Sequence, residues 1–408
     1  MKIRKWITTA AAALLTAVFI GGCNIDLDLM FKAPDARRPT GSSPFDNASY
    51  LDWPEDSFDE TSFDFSKVET PQGDYALIHT LSDEEKELYQ HIIARIESLE
   101  SSMIFDEVTN DAFKNAYYAV LYDHPEYFWT GRNYSYTVRT LGDLQKLSVQ
   151  PSLLFEDSET IRQARKALED AANMIAAGAE QQDGIYEKVK YVHDYIIDHT
   201  AYDTDALESI SNGEDESVMA ATTAYGCLVQ HKAVCSGYAS AFQLVLQKLG
   251  IECGRVNGLR NSESGAHQWN FLRLDDDYYY TDVTWDDPLK PDGTQTRTYE
   301  FFLISEDDLA YTHVKNNDLP CPECRGTQYD FYRMNHLYFE EYDFDDIRVA
   351  ADLMYDDRAL TVKYSSPDVL SEAKRELIDN KRIFDIDYIG GGVTYSVSSS
   401  GCILNISY

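Results

Sequence analysis

Cys235, His267 and Asp282 follow one another in an order suited to covalent acyl transfer. After Cys235, apolar residues recur at Tyr238, Ala241, Phe242, Val245, Leu246 and Leu249. That is helical spacing, and Gly250 offers a left-handed stop. A thiol in a first turn faces unpaired backbone N–H groups and the positive end of the helix dipole. Both favour the thiolate, which is the nucleophile. His267 to Leu274 and Tyr278 to Val283 read as two strands around an Asp275-Asp276-Asp277 turn. An even loop puts positions with an odd index sum on one face, so His267 and Asp282 can bond across the hairpin. The carboxylate then fixes the imidazole, whose other nitrogen serves the thiol. Taken singly, each residue has a plainer meaning: a buried cysteine is usually inert, and a strand His or Asp usually packs. Three together, in order, favour chemistry.

The neighbours supply the rest of such a site. Gly237, Ala239 and Ser240 are small enough for the helix to approach a neighbour closely. An oxyanion hole is needed, and its first donor is the backbone N–H of Cys235. Gln230 is a candidate second donor, with a structural role competing for it. Trp269 and Trp285 are candidate walls, and Trp269, two residues along the strand, shares the face of His267.

Three blocks carry a family resemblance. His231-Lys232-Ala233-Val234-Cys235-Ser236-Gly237-Tyr238-Ala239, His267-Gln268-Trp269-Asn270 and Asp282-Val283-Thr284-Trp285-Asp286-Asp287-Pro288 resemble the linked motifs of the transglutaminase-like superfamily, relatives of papain-type cysteine peptidases. The departures are His231 for Gly and Gln268 for Ala. The resemblance implies an α+β, papain-like core in which a nucleophile helix packs on an antiparallel sheet. It implies attack by Cys235 on a carbonyl, a thioester intermediate, His267 as acid and base, and Asp282 as its support. Hydrolysis of a peptide or amide bond is the first expectation, protein cross-linking the second, and a non-catalytic binding module on the same fold the third. The chemistry calls for no cofactor and no metal.

Composition narrows the partners. The 408 residues hold 70 acidic and 35 basic side chains, a formal charge of −35. Nucleic acid needs a basic footprint and is excluded as a partner; polybasic attachment to anionic lipid is excluded as well. A peptide or protein substrate, or a cell-envelope component, is expected. Lys2, Arg4 and Lys5 precede an apolar run from Trp6 to Ile20, too short for a comfortable membrane span. Ile20-Gly21-Gly22-Cys23 resembles a bacterial lipobox, which makes Cys23 the lipidated residue. The expectation is an extracytoplasmic lipoprotein, anchored to the cell membrane but not spanning it. Setting aside Cys23 and Cys235 leaves five cysteines, an odd number, so no complete disulfide framework is expected. Cys321-Pro322-Glu323-Cys324 has metal or disulfide spacing; a structural zinc wants further ligands, and only His313 and His336 lie near in sequence, so a local disulfide or two free thiols is expected.

The chain then divides into a signal peptide (1–22), an acidic tether (23–80), a mostly helical or mixed segment (81–184), the catalytic core (185–315) and a small α+β region (316–408). The aromatic residues of the tether, Tyr50, Trp53, Phe58, Phe63 and Phe65, could instead pack on the folded part. Ser82-Asp83-Glu84-Glu85 is a capping box opening a helix with Leu88, Ile92, Ile96, Leu99 and Met103 on one face. Helices are expected over 110–122, 158–177, 185–199 and 367–379, and strands over 134–138, 152–155, 360–364, 383–389 and 393–408. Asp123 to Trp129 reads as a helix stop followed by aromatic core, with a cleft wall as its functional alternative. Asp203 to Thr223 reads as a surface loop, and His193 and His199 read as solvated.

Overall fold

The Ser82 capping box forms as its sequence dictates: the side chain accepts from Glu85 N, and Glu85 reaches back to Ser82 N. It opens α1 (Asp83–Glu97). Leu99 then adopts a left-handed φ of 58°, so Met103 does not continue the helix but begins β1 (Met103–Asp106). The computed structural model describes residues 56, 58, 63–65, 71, 73–141, 144–212, 215–260, 265–288 and 296–408. The expected signal peptide, Cys23, Tyr50, Trp53 and most of the 23–80 segment lie outside the described residues. Among the described tether residues, Asp56 pairs with Arg95 of α1 at 2.5 Å and Phe58 lies under its guanidinium. That part packs on the folded body.

Next come α2 (Asn110–Asp123), β2 (Thr130–Leu141), β3 (Leu144–Leu153), α3 (Ser158–Ala179) and α4 (Ile185–His199). β1, β3 and β2 form an antiparallel sheet in that order. The expected strands 134–138 and 152–155 underestimate this hairpin, because alternation is broken by a register shift between Thr130 and Tyr134. β4 (Ala201–Tyr202) follows. The expected loop 203–223 is mostly helical. Asp203 caps α5 (Thr204–Ser211) by accepting from Ala206 N, and a 3₁₀ segment spans Asp215–Thr222. α6 (Ala224–Leu228) and β5 (Lys232–Ala233) lead to α7 (Cys235–Lys248). β4 and β5 pair in parallel.

The central sheet is antiparallel, in the order β8 (Asp277–Thr281), β7 (Ala266–Leu274), β6 (Cys253–Arg260), β9 (His313–Lys315). β7 and β8 are joined at Asp275-Asp276 with Leu274 opposite Asp277, a shorter turn than the three aspartates suggested, and Asp275 takes a φ of 54°. α7 packs on β7 and β6, and Asn270 Nδ2 donates to Ala239 O at 3.0 Å. This is the helix-on-antiparallel-sheet arrangement, and the fold class is α+β. A single hydrophobic cluster runs from Ile78 to Leu303, so segments 81–184 and 185–315 share one core.

The C-terminal region has its own cluster, starting at Tyr332 rather than near 316. Its sheet is ordered β10 (Tyr338–Phe339), β11 (Ala359–Tyr364), β13 (Ile403–Ser407), β12 (Thr394–Ser398). α8 (Phe344–Leu353) and α9 (Pro367–Lys374) flank it, and Ser366 caps α9 by accepting from Val369 N. The expected strand 383–389 is instead a 3₁₀ turn over Arg382–Asp385: its apolar run is short and serves the core without pairing.

Candidate active site

α7 brings Cys235 to its first position. Val234, the N-cap, makes no side-chain cap bond, so no side chain occupies the first-turn donors. The approach of this helix end is set by Gly237. A Cβ there would lie 2.5 Å from Ala221 O and 2.8 Å from the Ala233 Cβ. His231, standing where the resemblance expects Gly, has a φ of 57°, the left-handed region that glycine enters freely.

β7 presents His267 and β8 runs on into Asp282. His267 Nε2 bonds Asp282 Oδ2 at 2.5 Å. Their pairing is diagonal, since the register runs Asn270 opposite Thr281. Asp282 is further held by Trp285 N donating to Oδ1 at 3.1 Å and by its own N–H to Phe301 O. With Nε2 engaged, Nδ1 is the nitrogen left for Cys235, whose thiol interacts with the His267 ring. All three residues are buried, Cys235 at 0 % exposure. The ring of Trp269 stacks 6.0 Å from that of His267, and Trp285 lies 5.7 Å away. Both aromatic rings are therefore brought beside His267. Gln230 is not: it is exposed on the turn after α6, which leaves it unsuited to an oxyanion role.

Sequence spacing did not assign His313 to this site. β9 pairs with the far edge of β6 and carries His313 to the back of the pair. His313 Nε2 bonds the same Asp282 Oδ2 at 3.0 Å, and Thr312 Oγ1 lies 2.8 Å from its Nδ1. A carboxylate only accepts, so both Nε2 atoms carry protons toward it. Donor atoms of His267, Asp282 and His313 all lie within 4.8 Å of one another. A divalent cation could close on that set only by replacing the two hydrogen bonds.

Charge follows from burial and these bonds. Burial alone would lower the His267 pKa, but the charge and bond of Asp282, and then Cys235, raise it from 6.5 to about 10. Burial opposes ionisation of Asp282, yet His267 and His313 hold its carboxyl well below the usual range. Burial pushes His313 down, against the pull of Asp282. At neutral pH the row is imidazolium, carboxylate, neutral imidazole. Such a row can hold a proton at His267 for a leaving group and keep a negative charge beside it.

The rest of the Asp282–Pro288 block is structural. Asp286 accepts from Thr298 Oγ1 and Phe301 N and bonds His193 Nε2 at 3.2 Å. Tyr238 Oη donates to Asp287 Oδ2 at 2.8 Å. His193 is thus fully buried rather than solvated, while His199 is exposed as expected. Among the described residues all six cysteines are free; Cys321 Sγ lies 3.3 Å from Tyr280 Oη. His124, Pro125, Tyr127 and Phe128 line a cavity while Trp129 is core.

Residues 170–283 match the model of the Transglutaminase-like superfamily, a span that contains Cys235, His267 and Asp282. No curated protein is matched. Similar solved structures include a TGase, 16% identical, covering 37% of this chain and 44% of that one, with a TM-score of 0.28. A candidate cysteine protease from Cytophaga hutchinsonii is 12% identical, covering 40% and 65%, with a TM-score of 0.23. A candidate protease from Parabacteroides distasonis is 10% identical, covering 40% of each chain, with a TM-score of 0.21. This chain spans less than two thirds of each of them, and likenesses so slight carry no weight. The family match stands without them: this segment is transglutaminase-like, which supports a cysteine-dependent enzyme in general terms.

Proposed function

We propose, from the transglutaminase-like segment over residues 170–283, that this protein is a cysteine-dependent acyl-transfer enzyme that hydrolyses peptide or amide bonds. The observation that carries this is the 2.5 Å bond between His267 and Asp282, with the buried Cys235 side chain acting on the same imidazole. The Cys235 sulfur attacks the carbonyl carbon, and the backbone N–H of Cys235 stabilises the oxyanion. The C–N bond breaks as His267 gives its proton to the departing amine. Water then attacks the thioester, His267 takes its proton, the C–S bond breaks and the acid leaves. Asp282 stays ionised throughout and holds the imidazole. A primary amine in place of water gives cross-linking instead.

The complete burial of Cys235 favours a second reading, a binding module on the same fold. Incubating the full chain with blocked peptides, with and without a primary amine, and weighing the products separates these. Acid products alone indicate hydrolysis, and amide adducts indicate cross-linking. No product from the wild-type chain beyond that of Cys235→Ala leaves the binding module. The protein is further proposed to sit outside the cytoplasm on a lipid carried by Cys23, facing a peptide, protein or envelope substrate. Cys23→Ser should move it from the membrane fraction to the soluble one; retention in the membrane fraction overturns the anchor.

A further inference from the structure

A cavity of about 150 Å³ lies beside the first two turns of α7. Its polar wall is formed by Ser236 and Ser240 of α7, Gln268 of β7, Arg255 of β6, Arg132 of β2 and Tyr122 at the end of α2. Ser236 follows the nucleophile directly. Gln268 follows His267 and points to the other face of β7. The cavity is smaller than a whole-ligand pocket and has the size of a subsite.

Its two guanidiniums are held rigidly. Arg255 donates from Nη1 to Ser240 Oγ and from Nη2 to the carbonyls of Leu121 and Tyr122, each at 2.9 Å. It lies 4.3 Å over the Tyr122 ring. Arg132 Nη2 donates to the hydroxyls of Tyr118 and Tyr122 at 2.8 and 3.0 Å. None of the described residues lining the cavity is Asp or Glu, in a chain with 70 of them. Of the nearby carboxylates, Asp123 accepts from the backbone of Leu77 and Ile78 while its charge also acts on Arg255, Asp318 accepts from Asn257, and Glu126 pairs with His124. Arg132 and Arg255 repel one another across the cavity.

Polar capacity there is also left over. Ser236 Oγ, Arg255 Nε and Gln268 Oε1 are buried without a hydrogen-bond partner, on side chains that are only 8% exposed for Ser236 and 1% for Gln268. Ser236 Oγ and Arg255 Nε can donate to a carboxylate, whereas Gln268 Oε1 only accepts and calls for a donor on the ligand; such buried groups are costly unless a ligand meets them. Rigid guanidinium forks suit carboxylates.

We propose that this cavity is a subsite for a carboxylate carried by the substrate, which makes the substrate an acidic peptide or amide. This rests on the acyl-transfer reading for the rest of the substrate, though not for the binding itself. The carboxylate can come from an acidic side chain or from a chain terminus.

Calorimetric binding to the full chain bearing Cys235→Ala tests this with three tripeptides. One has a central glutamate and blocked ends. The second has a central glutamine and blocked ends. The third is trialanine with a free C-terminal carboxylate. At least one carboxylate peptide should bind ten-fold or more tightly than the glutamine peptide, and the tighter of the two names the source. Arg255→Gln and Arg132→Gln should each abolish the preference. Should either fail to fold, Ser236→Asp puts a carboxylate into the cavity and should abolish it as well. Equal binding of all three peptides, or a preference that survives these variants, overturns the subsite. Turnover is read separately on the wild-type chain. Carboxylate peptides that bind but are never processed contradict the acyl-transfer reading and leave the subsite standing.

Discussion

Asp282 Oδ2 and His313 Nε2 are 3.0 Å apart, at the oxygen that already receives His267. The carboxylate is therefore shared between a histidine in front and one behind. His313 bonds Asp282 and Thr312, which makes it a positioning residue acting through Asp282.

His313→Phe keeps a ring in the same space and removes one charge-assisted bond, which is worth about 1.5–3 kcal/mol. Alkylation of Cys235 should slow by about ten- to a hundred-fold. Asp282 would then spend its charge on His267 alone, so the alkaline limb of the pH–rate profile should move to higher pH. A lower melting temperature with an unmoved profile would reduce His313 to packing.

His267 gains basicity on folding, from 6.5 to about 10. Its stabilisation is complete below pH 6.5 and is lost as pH rises through about 10. Asp282 is depressed from 3.8, so its share is present above that value and is lost in acid. The pair thus contributes most between these two ordinary values. The stability difference between wild type and His267→Gln, from urea unfolding, should fall by a few kcal/mol from pH 6.5 to 10, at ~1.4 kcal/mol per unit. A difference flat across that range would mean that no ion pair exists.

Gly237 sets the distance between α7 and both Ala221 of the 3₁₀ segment and Ala233 at the end of β5. Gly237→Ala should cost about 1–3 kcal/mol by overpacking. It should slow Cys235 modification as well, because the helix end must retreat. A variant with wild-type stability and reactivity would show that the close approach is not needed.

The front of the site was legible because it rests on local rules. Loop parity puts His267 and Asp282 on one face whatever the tertiary structure, and the first turn of α7 is marked by apolar spacing. His313 was not legible: it enters through the pairing of β9 with β6, some fifty residues apart, and no local pattern announces that. α5 was missed because its surface is polar, although Asp203 is a capping residue in plain view. Leu99 and Met103 keep helical spacing beyond the helix end, since spacing cannot register the left-handed turn at Leu99. Arg132 and Arg255 lie on different sheets, and only packing brings them to one cavity.

The proposed chemistry requires His267 to activate Cys235. The other described thiols are pushed up by burial, Cys227 to about 12, and Cys253, Cys321, Cys324 and Cys402 in the same direction. The decisive measurement is the rate of alkylation of each cysteine in the full chain across pH, mapped by mass spectrometry. Cys235 should be modified selectively at neutral pH and ahead of the more exposed Cys321, and His267→Ala should abolish that selectivity. Steric protection alone predicts the reverse for His267→Ala, because truncating the ring opens space beside the thiol. Labelling of Cys235 no faster than Cys321 or Cys324, or faster labelling in His267→Ala, would contradict the account.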